Sequence, residues 1–324
     1  MSQISTSTTG IFPKIARSTS SGQGGDAPSL RANLHKFDRE EISAEELENV
    51  IQANIKRAVA EQVEAGIDLP TDGLIRWTDL FSPFVQAWDG ITRRGIHRFY
   101  NTNTLYGEPV IEEELKYNPA KTLEDFKFAL SVNPNVKATL PGVFTFAAAC
   151  VDGFYKDEQK LRSAIAENLL AEAKALIEAG AKVIEIHEPE VAWNLESAAA
   201  ESKEIAETYS KFGQLGAKVI VTSYFKNFDT DVVQALISAK CGVGIDIQKP
   251  HSHDFEKTGM ILQAGIVDSR ETKMESPEFL AEYKQKIEST FADAAEIIYS
   301  TSSHVEYLPH EIAIQKISLL KSLK

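Results

Sequence analysis

The stretch Lys218-Val219-Ile220-Val221-Thr222-Ser223, with a helical run at 231–238 and then Gly242-Val243-Gly244-Ile245-Asp246-Ile247, decides the fold. An almost unbroken apolar run has no polar face to show to water. It reads as a strand buried on both sides, the condition of a parallel sheet covered by helices. The same alternation extends in both directions: strand-like runs fall at 8–12, 73–77, 136–140, 183–186, 218–223, 242–247, 262–267 and 297–300. Helical periodicity or composition occupies 123–130, 158–179, 198–215, 231–238, 277–295 and 311–323. At 43–65, Ile51, Ile55, Val59 and Val63 recur at helical spacing, Ser43 stands three residues before Glu46, and Gly66 follows, which predicts a capped amphipathic helix. Eight strand units with crossover helices in 324 residues fit an α/β fold of the (β/α)8 TIM-barrel type, since no Gly-x-Gly-x-x-Gly turn of an open doubly wound sheet follows the first strand. One piece breaks the alternation. Gly95 to Val110 is extended and aromatic with no helix between its halves, which predicts an inserted β-hairpin laid over one end of the barrel. The Ser/Gly-rich run 18–28 reads as a mobile loop, and 1–324 as a single barrel domain.

Composition removes several classes of function. At 43% hydrophobic and 25% charged residues the chain has the make-up of an ordinary globular protein with ample core material. Thirty-four Lys and Arg against 47 Asp and Glu give a formal charge of −13, the wrong sign for tracking nucleic acid or anionic lipid. The first residues show no basic-then-apolar leader, and no run approaches the roughly 18 apolar residues of a membrane span, so a cytoplasmic protein with no membrane partner is expected. Two cysteines, Cys150 and Cys241, cannot by themselves build a disulfide framework, a four-cysteine zinc site or an iron–sulfur cluster. Cys241 precedes a strand, at the far end from the barrel rim, and Cys150 closes an apolar run; neither reads as a nucleophile.

Barrel chemistry gathers just beyond the carboxyl ends of the strands. Four of the seven histidines fall there, with Glu188 and Glu306 beside them. Imidazoles and carboxylates both ligate metals and carry protons, so His187 and Glu188 are the catalytic candidates. His187, His251, His253 and His304 are candidate ligands for zinc or a similar ion, set against the plain reading of a polar rim. For substrate binding, Lys14 and Arg17 either hold an anionic tail or are solvated charges. Trp77 and Asp79 either offer an aromatic surface and a carboxylate at the mouth or belong to a core indole and its neighbour. Asp246, an acid in an apolar strand, is a ligand contact or, the preferred reading, a paired interior carboxylate.

Seven segments, Thr9-Gly10-Ile11-Phe12-Pro13-Lys14-Ile15, Asp72-Gly73-Leu74-Ile75-Arg76-Trp77-Thr78-Asp79, Phe99-Tyr100-Asn101-Thr102-Asn103, Leu140-Pro141-Gly142-Val143-Phe144-Thr145-Phe146, Ile186-His187-Glu188-Pro189, Gly265-Ile266-Val267-Asp268-Ser269-Arg270 and Tyr307-Leu308-Pro309, run in order over almost the whole chain. Together they make it resemble the cobalamin-independent methionine synthase family, whose members carry two related barrels, in some organisms as separate chains. The resemblance implies methyl transfer from a methylated folate to homocysteine, whose thiol is held as thiolate on a zinc ion in the catalytic barrel. The family's zinc ligands, His-x-Cys after the fifth strand, Glu after the sixth and Cys after the eighth, correspond here to Thr222 and Tyr224, Gln248, and Ser303. None of these is a good zinc ligand. The family's Asp-Glu-Pro is His187-Glu188-Pro189, and the carboxylate expected near Leu74 to Arg76 for the substrate ammonium is missing. Gly73 to Asp79, Pro13-Lys14-Ile15 and Tyr100 to Asn103 are similar to the family's amino-terminal barrel, the copy without zinc.

Three expectations follow. The first is a standalone amino-terminal-type barrel that assists a separate zinc-bearing catalytic barrel, contacting the folate tail through Lys14 and Arg17. The second is a divergent methyltransferase with a metal site rebuilt from the rim histidines and another methyl donor. The third is a small-molecule binding protein on the same scaffold.

Overall fold

The computed structural model describes residues 2–14, 27–194, 200–250 and 254–324. Its centre is a parallel sheet of seven strands. β1 (Gln3–Thr6), β4 (Ala138–Pro141), β6 (Val183–His187), β7 (Lys218–Thr222), β8 (Gly242–Asp246), β9 (Ile261–Val267) and β10 (Glu296–Thr301) lie in the order β1-β10-β9-β8-β7-β6-β4. Every neighbouring pair is parallel. The apolar strands are buried along nearly their whole length, as the continuous hydrophobic runs require.

Residues 67–71 join the two edges. The Leu69 amide donates to the Thr6 carbonyl at 3.0 Å and Ser7 bridges Leu69, while the Lys137 amide donates to the Pro70 carbonyl at 2.9 Å. This segment stands as the eighth stave without forming a regular strand, because Pro70 has no N–H for a ladder. The strand expected at 73–77 is therefore corrected: Gly73 and Leu74 have φ of +79° and +51°, and the Asp72 carboxylate accepts from the Leu74 amide at 2.8 Å, making a turn. The strand expected at 8–12 is likewise displaced to Gln3–Thr6, where residues pair in register with Glu296–Tyr299.

Helices cover the outside. Ala44–Glu64 starts at the expected capping box, with the Glu46 amide donating to Ser43 Oγ at 3.1 Å and the Ser43 amide to Glu46 Oε2 at 2.7 Å. Thr122–Val132, Glu158–Glu178, Ser202–Gly213, Thr230–Ser238, Pro277–Thr290 and His310–Leu319 follow their predicted runs, shortened at several ends. Expectations at 195–199 and 18–26 lie outside the described residues.

The inserted hairpin is longer than expected. β2 (Asp89–Arg98) and β3 (Leu105–Lys116) pair antiparallel, and β5 (Val151–Asp152) adds a short parallel third strand. Its tip carries Phe99, which packs 6.3 Å from the Tyr224 ring, and Tyr100, 5.1 Å from Trp193 and 5.9 Å from Phe225. These contacts lay the hairpin over the carboxyl-terminal end of the barrel. No described helix is long and apolar enough to cross a membrane.

Candidate functional site

Inside the barrel the sheet is not uniformly apolar. Lys137, just before β4, pairs with Glu185 of β6, and both side chains are fully buried. Gln263 Nε2 donates to Glu185 Oε1 at 3.0 Å and lies 3.3 Å from Thr9 Oγ1. Burial opposes ionisation of Glu185, but the Lys137 charge and His187 together hold its carboxyl well below the usual range.

This network rises to His187, the last residue of β6, whose Nε2 is 3.5 Å from Glu185 Oε1. The His187 ring meets His304 edge-on at 5.2 Å and Tyr224 at 5.5 Å, and Tyr224 meets His304 at 4.9 Å. All three are buried. Burial first, then the neighbouring His187, pushes the His304 imidazole well below its ordinary value, so it is neutral. Its ring lies against the backbone of Gly10, where φ is +67° and an added Cβ would come within 2.7 Å of the imidazole. Among the described residues both ring nitrogens of His187 and of His304, with Tyr224 Oη and Ser223 Oγ, make no hydrogen bond, the nearest charged groups being Glu185 Oε1 at 3.5 Å from His187 Nε2 and Glu306 Oε1 at 3.8 Å from His304 Nδ1. A buried polar atom without a partner costs about 1–3 kcal/mol, so a cluster of this kind marks a place for water or a polar ligand.

Glu188, paired with His187 as a catalytic candidate, is held by a different set of neighbours. It reaches across to the start of the helix Val143–Ala149, accepting from the Phe144 amide at 3.0 Å, the Thr145 amide at 2.6 Å, the Thr145 hydroxyl and the Tyr209 hydroxyl. It is the carboxylate for that helix N-terminus, supplied from another stave because Gly142 at the cap position has no side chain. A Cβ at Gly142 would collide with the Glu188 carboxyl. Burial pushes this acid up to about 7 against the pull of its donors.

The substrate-binding candidates divide similarly. Lys14 donates its ammonium to the Trp77 carbonyl, and burial lowers it against the attraction of Glu306 and Asp79. Trp77 is a core residue, edge-on to Phe84 at 5.5 Å. Asp79 accepts from the Phe81 and Ser82 amides at 2.9 and 2.7 Å and from the Gly107 amide at 3.1 Å, which fixes the turn and the hairpin to it. Asp246 is a paired interior carboxylate, 2.9 Å from Arg270. Arg17, His251 and His253 lie outside the described residues. Of the four proposed metal ligands, His187 and His304 come together. Among the described residues no group of three or more His, Cys, Asp or Glu side chains is arranged to hold a metal ion.

The positions that the resemblance gives to zinc ligands do not fit that ion. Thr222 and Tyr224 offer a hydroxyl and a phenol buried among rings, Gln248 Nε2 is bonded to the Ile266 carbonyl at 2.8 Å, and Ser303 is bonded to Ser269. The cysteines stand aside: burial raises both thiols, Cys241 to about 12. Sequence reasoning misses Lys137, Glu185 and Gln263. An acid in an apolar strand is the available signal, and it singles out Glu185 as much as Asp246.

A seven-stranded parallel sheet whose edges are bridged by residues 67–71, with its polar cluster at the carboxyl ends of the strands, has a TIM-barrel-like architecture. The family model for the N-terminal domain of the cobalamin-independent synthase matches residues 90–290. The chain belongs to the cobalamin-independent methionine synthase family. Among curated proteins it is 26% identical over 305 residues to a methionine synthase of Saccharolobus solfataricus, covering 91% of this chain and 90% of that protein. It is 26% identical over 306 residues to a methionine synthase of Sulfurisphaera tokodaii, covering 90% and 86%. Among solved structures, a B12-independent methionine synthase from Shewanella sp. W3-18-1 in complex with selenomethionine superposes with a TM-score of 0.79 at 19% identity, covering 99% of this chain and 96% of that one. A methyltransferase from Methanosarcina mazei superposes at 0.57 with 13% identity, covering 85% and 84%. These likenesses to solved structures show the fold.

Proposed function

We propose that this chain serves methyl transfer onto homocysteine as a standalone amino-terminal-type barrel that assists a separate zinc-bearing catalytic barrel. One observation carries the reading. Where the resemblance places the zinc ligands, this chain has Thr222, Tyr224, Gln248 and Ser303, and the Tyr224 ring packs against His187 and His304 instead. A thiolate cannot be generated there by the family's usual route, since that requires soft or imidazole ligands with one open position. Homocysteine or the methylated folate is the small molecule served. Lys14 gives one of its three N–H donors to the Trp77 carbonyl, and Lys14 with Arg17 is the proposed contact for an anionic tail. The test is reconstitution: the purified chain, mixed with a zinc-bearing barrel of the same genome, should co-elute with it and raise its rate of methyl transfer. Separate elution with an unchanged rate sinks the reading.

The ring nitrogens of His187 and His304, which make no hydrogen bond among the described residues, favour a second reading, a divergent methyltransferase whose histidines hold a metal. Elemental analysis separates the two. A stoichiometric transition metal that is lost in a His187→Ala variant supports the second and removes the need for a partner.

A further inference from the structure

Beside the barrel mouth, between the hairpin and the helix Val143–Ala149, lies a cavity of about 190 Å³ that none of the residues discussed as catalytic or metal-binding lines. Its wall combines four aromatic rings, Phe81, Phe99, Tyr100 and Tyr106, with one carboxylate, Glu190, and one guanidinium, Arg98. The rings are held by mutual packing: Phe99 meets Tyr100 at 4.8 Å and Tyr106 at 6.2 Å, and Phe81 meets Tyr106 at 5.4 Å. Ala148 and Ala149 complete the wall with minimal side chains and leave the space open.

The two charges sit differently. Glu190 is half-buried, with Oε2 accepting from the Tyr100 hydroxyl at 2.8 Å and Oε1 from the Asn194 amide group. Arg98 is exposed and makes no ion pair among the described residues. A ligand that satisfies both carries a cationic head inside, against Glu190 and the rings, and a carboxylate outside on Arg98, where a guanidinium can take it bidentately. The identity of the head follows from the balance of aromatic surface and acceptors in the wall. A primary ammonium brings three N–H donors. Among the described lining residues Glu190 is the single carboxylate, with one bond accepted on each oxygen and about two lone-pair sites left, and the Thr145 hydroxyl is committed to Glu188 and to the Glu190 amide, so polar acceptors are few beside four aromatic rings. A methylated onium has no N–H to satisfy and is held by negative charge and aromatic surface alone. At about 190 Å³ the space lies below the roughly 300–1,000 Å³ of sites for larger ligands, which limits the occupant to a few heavy atoms.

We propose that this cavity is a binding site for a small zwitterion with a methylated onium head and a carboxylate tail. The site is independent of whether the chain works with a partner barrel. Glycine betaine is the probe, titrated by calorimetry into the full chain, with glycine and choline as comparators that lack the methyl groups and the carboxylate respectively. Betaine should bind saturably, and glycine and choline each about tenfold or more weakly. Arg98→Ala, at an exposed position, should weaken betaine about tenfold and leave the thermal midpoint unchanged. Ala148→Trp, also at an exposed position, should fill the cavity and abolish binding. Absence of saturable betaine binding overturns the proposal, as does glycine or choline binding as tightly as betaine, or unchanged affinity in Ala148→Trp.

Discussion

Glu188 stands between two opposed forces. Four donors favour its anion, while complete burial favours the neutral acid and raises it from the ordinary carboxylate range to about 7. Asp72, buried and facing Asp125, is raised to about 7 as well. A carboxyl whose folded value exceeds its unfolded one adds stability that is complete below the unfolded value and is lost as pH rises through the folded one. Stability should therefore fall as pH is raised from about 5 to 8. The loss is on the order of 3 kcal/mol for each acid, because every pH unit separating the folded from the unfolded value contributes about 1.4 kcal/mol. Glu188→Gln should flatten the slope while lowering stability at pH 5, read by thermal unfolding across pH; a slope unchanged from the parent protein would refute this account of Glu188. Gly10 offers an independent check on the mouth. Its φ of +67° and the His304 ring at 2.7 Å from a built Cβ predict that Gly10→Ala costs roughly 1–3 kcal/mol in chemical denaturation and shifts the His304 proton resonances.

At the scale of elements, what the sequence makes legible is what neighbours along the chain determine. The Ser43–Glu46 box needs only four residues to form, and the helix begins where its spacing places it. The stave at 67–71 is read too late in the chain because the apolar run 73–77 outweighs the proline at position 70, and only pairing with Thr6 and Lys137 reveals its role. The site divides the same way. Position on the rim locates His187 and His304, but the assignment of Glu188 to a helix cap depends on Gly142 and Tyr209, which no local pattern connects to it. The Lys137–Glu185 pair is equally non-local, and its energetics are testable. Lys137→Met leaves a buried carboxylate without its cation and should cost about 3–5 kcal/mol in urea unfolding, whereas adding Glu185→Leu should restore most of the loss. A double variant no more stable than the single would show that the two charges are not coupled.

For the whole molecule, the question is whether side chains or shape keep the positions that the resemblance gives to zinc ligands from binding that ion. The carboxyl ends of β7 and β10, and the turn after β8, still bring Thr222, Tyr224, Gln248 and Ser303 to one end of the sheet, because parallel register carries every strand end to the same rim. A shared rim position is therefore the scaffold's contribution, and donor chemistry belongs to the four side chains. Thr222→His, Tyr224→Cys, Gln248→Glu and Ser303→Cys introduced together should give a protein that retains about one zinc per chain through gel filtration, measured by elemental analysis, and shows thiolate absorption with cobalt in its place. Replacing buried Tyr224 removes contacts with both histidines and should cost about 3 kcal/mol in the metal-free state, which bound metal offsets, so the variant should also melt higher with zinc than after chelation. If the variant folds and takes up no metal, the rim does not hold these positions in a ligating geometry, and the misfit to zinc lies in the backbone rather than in these four residues.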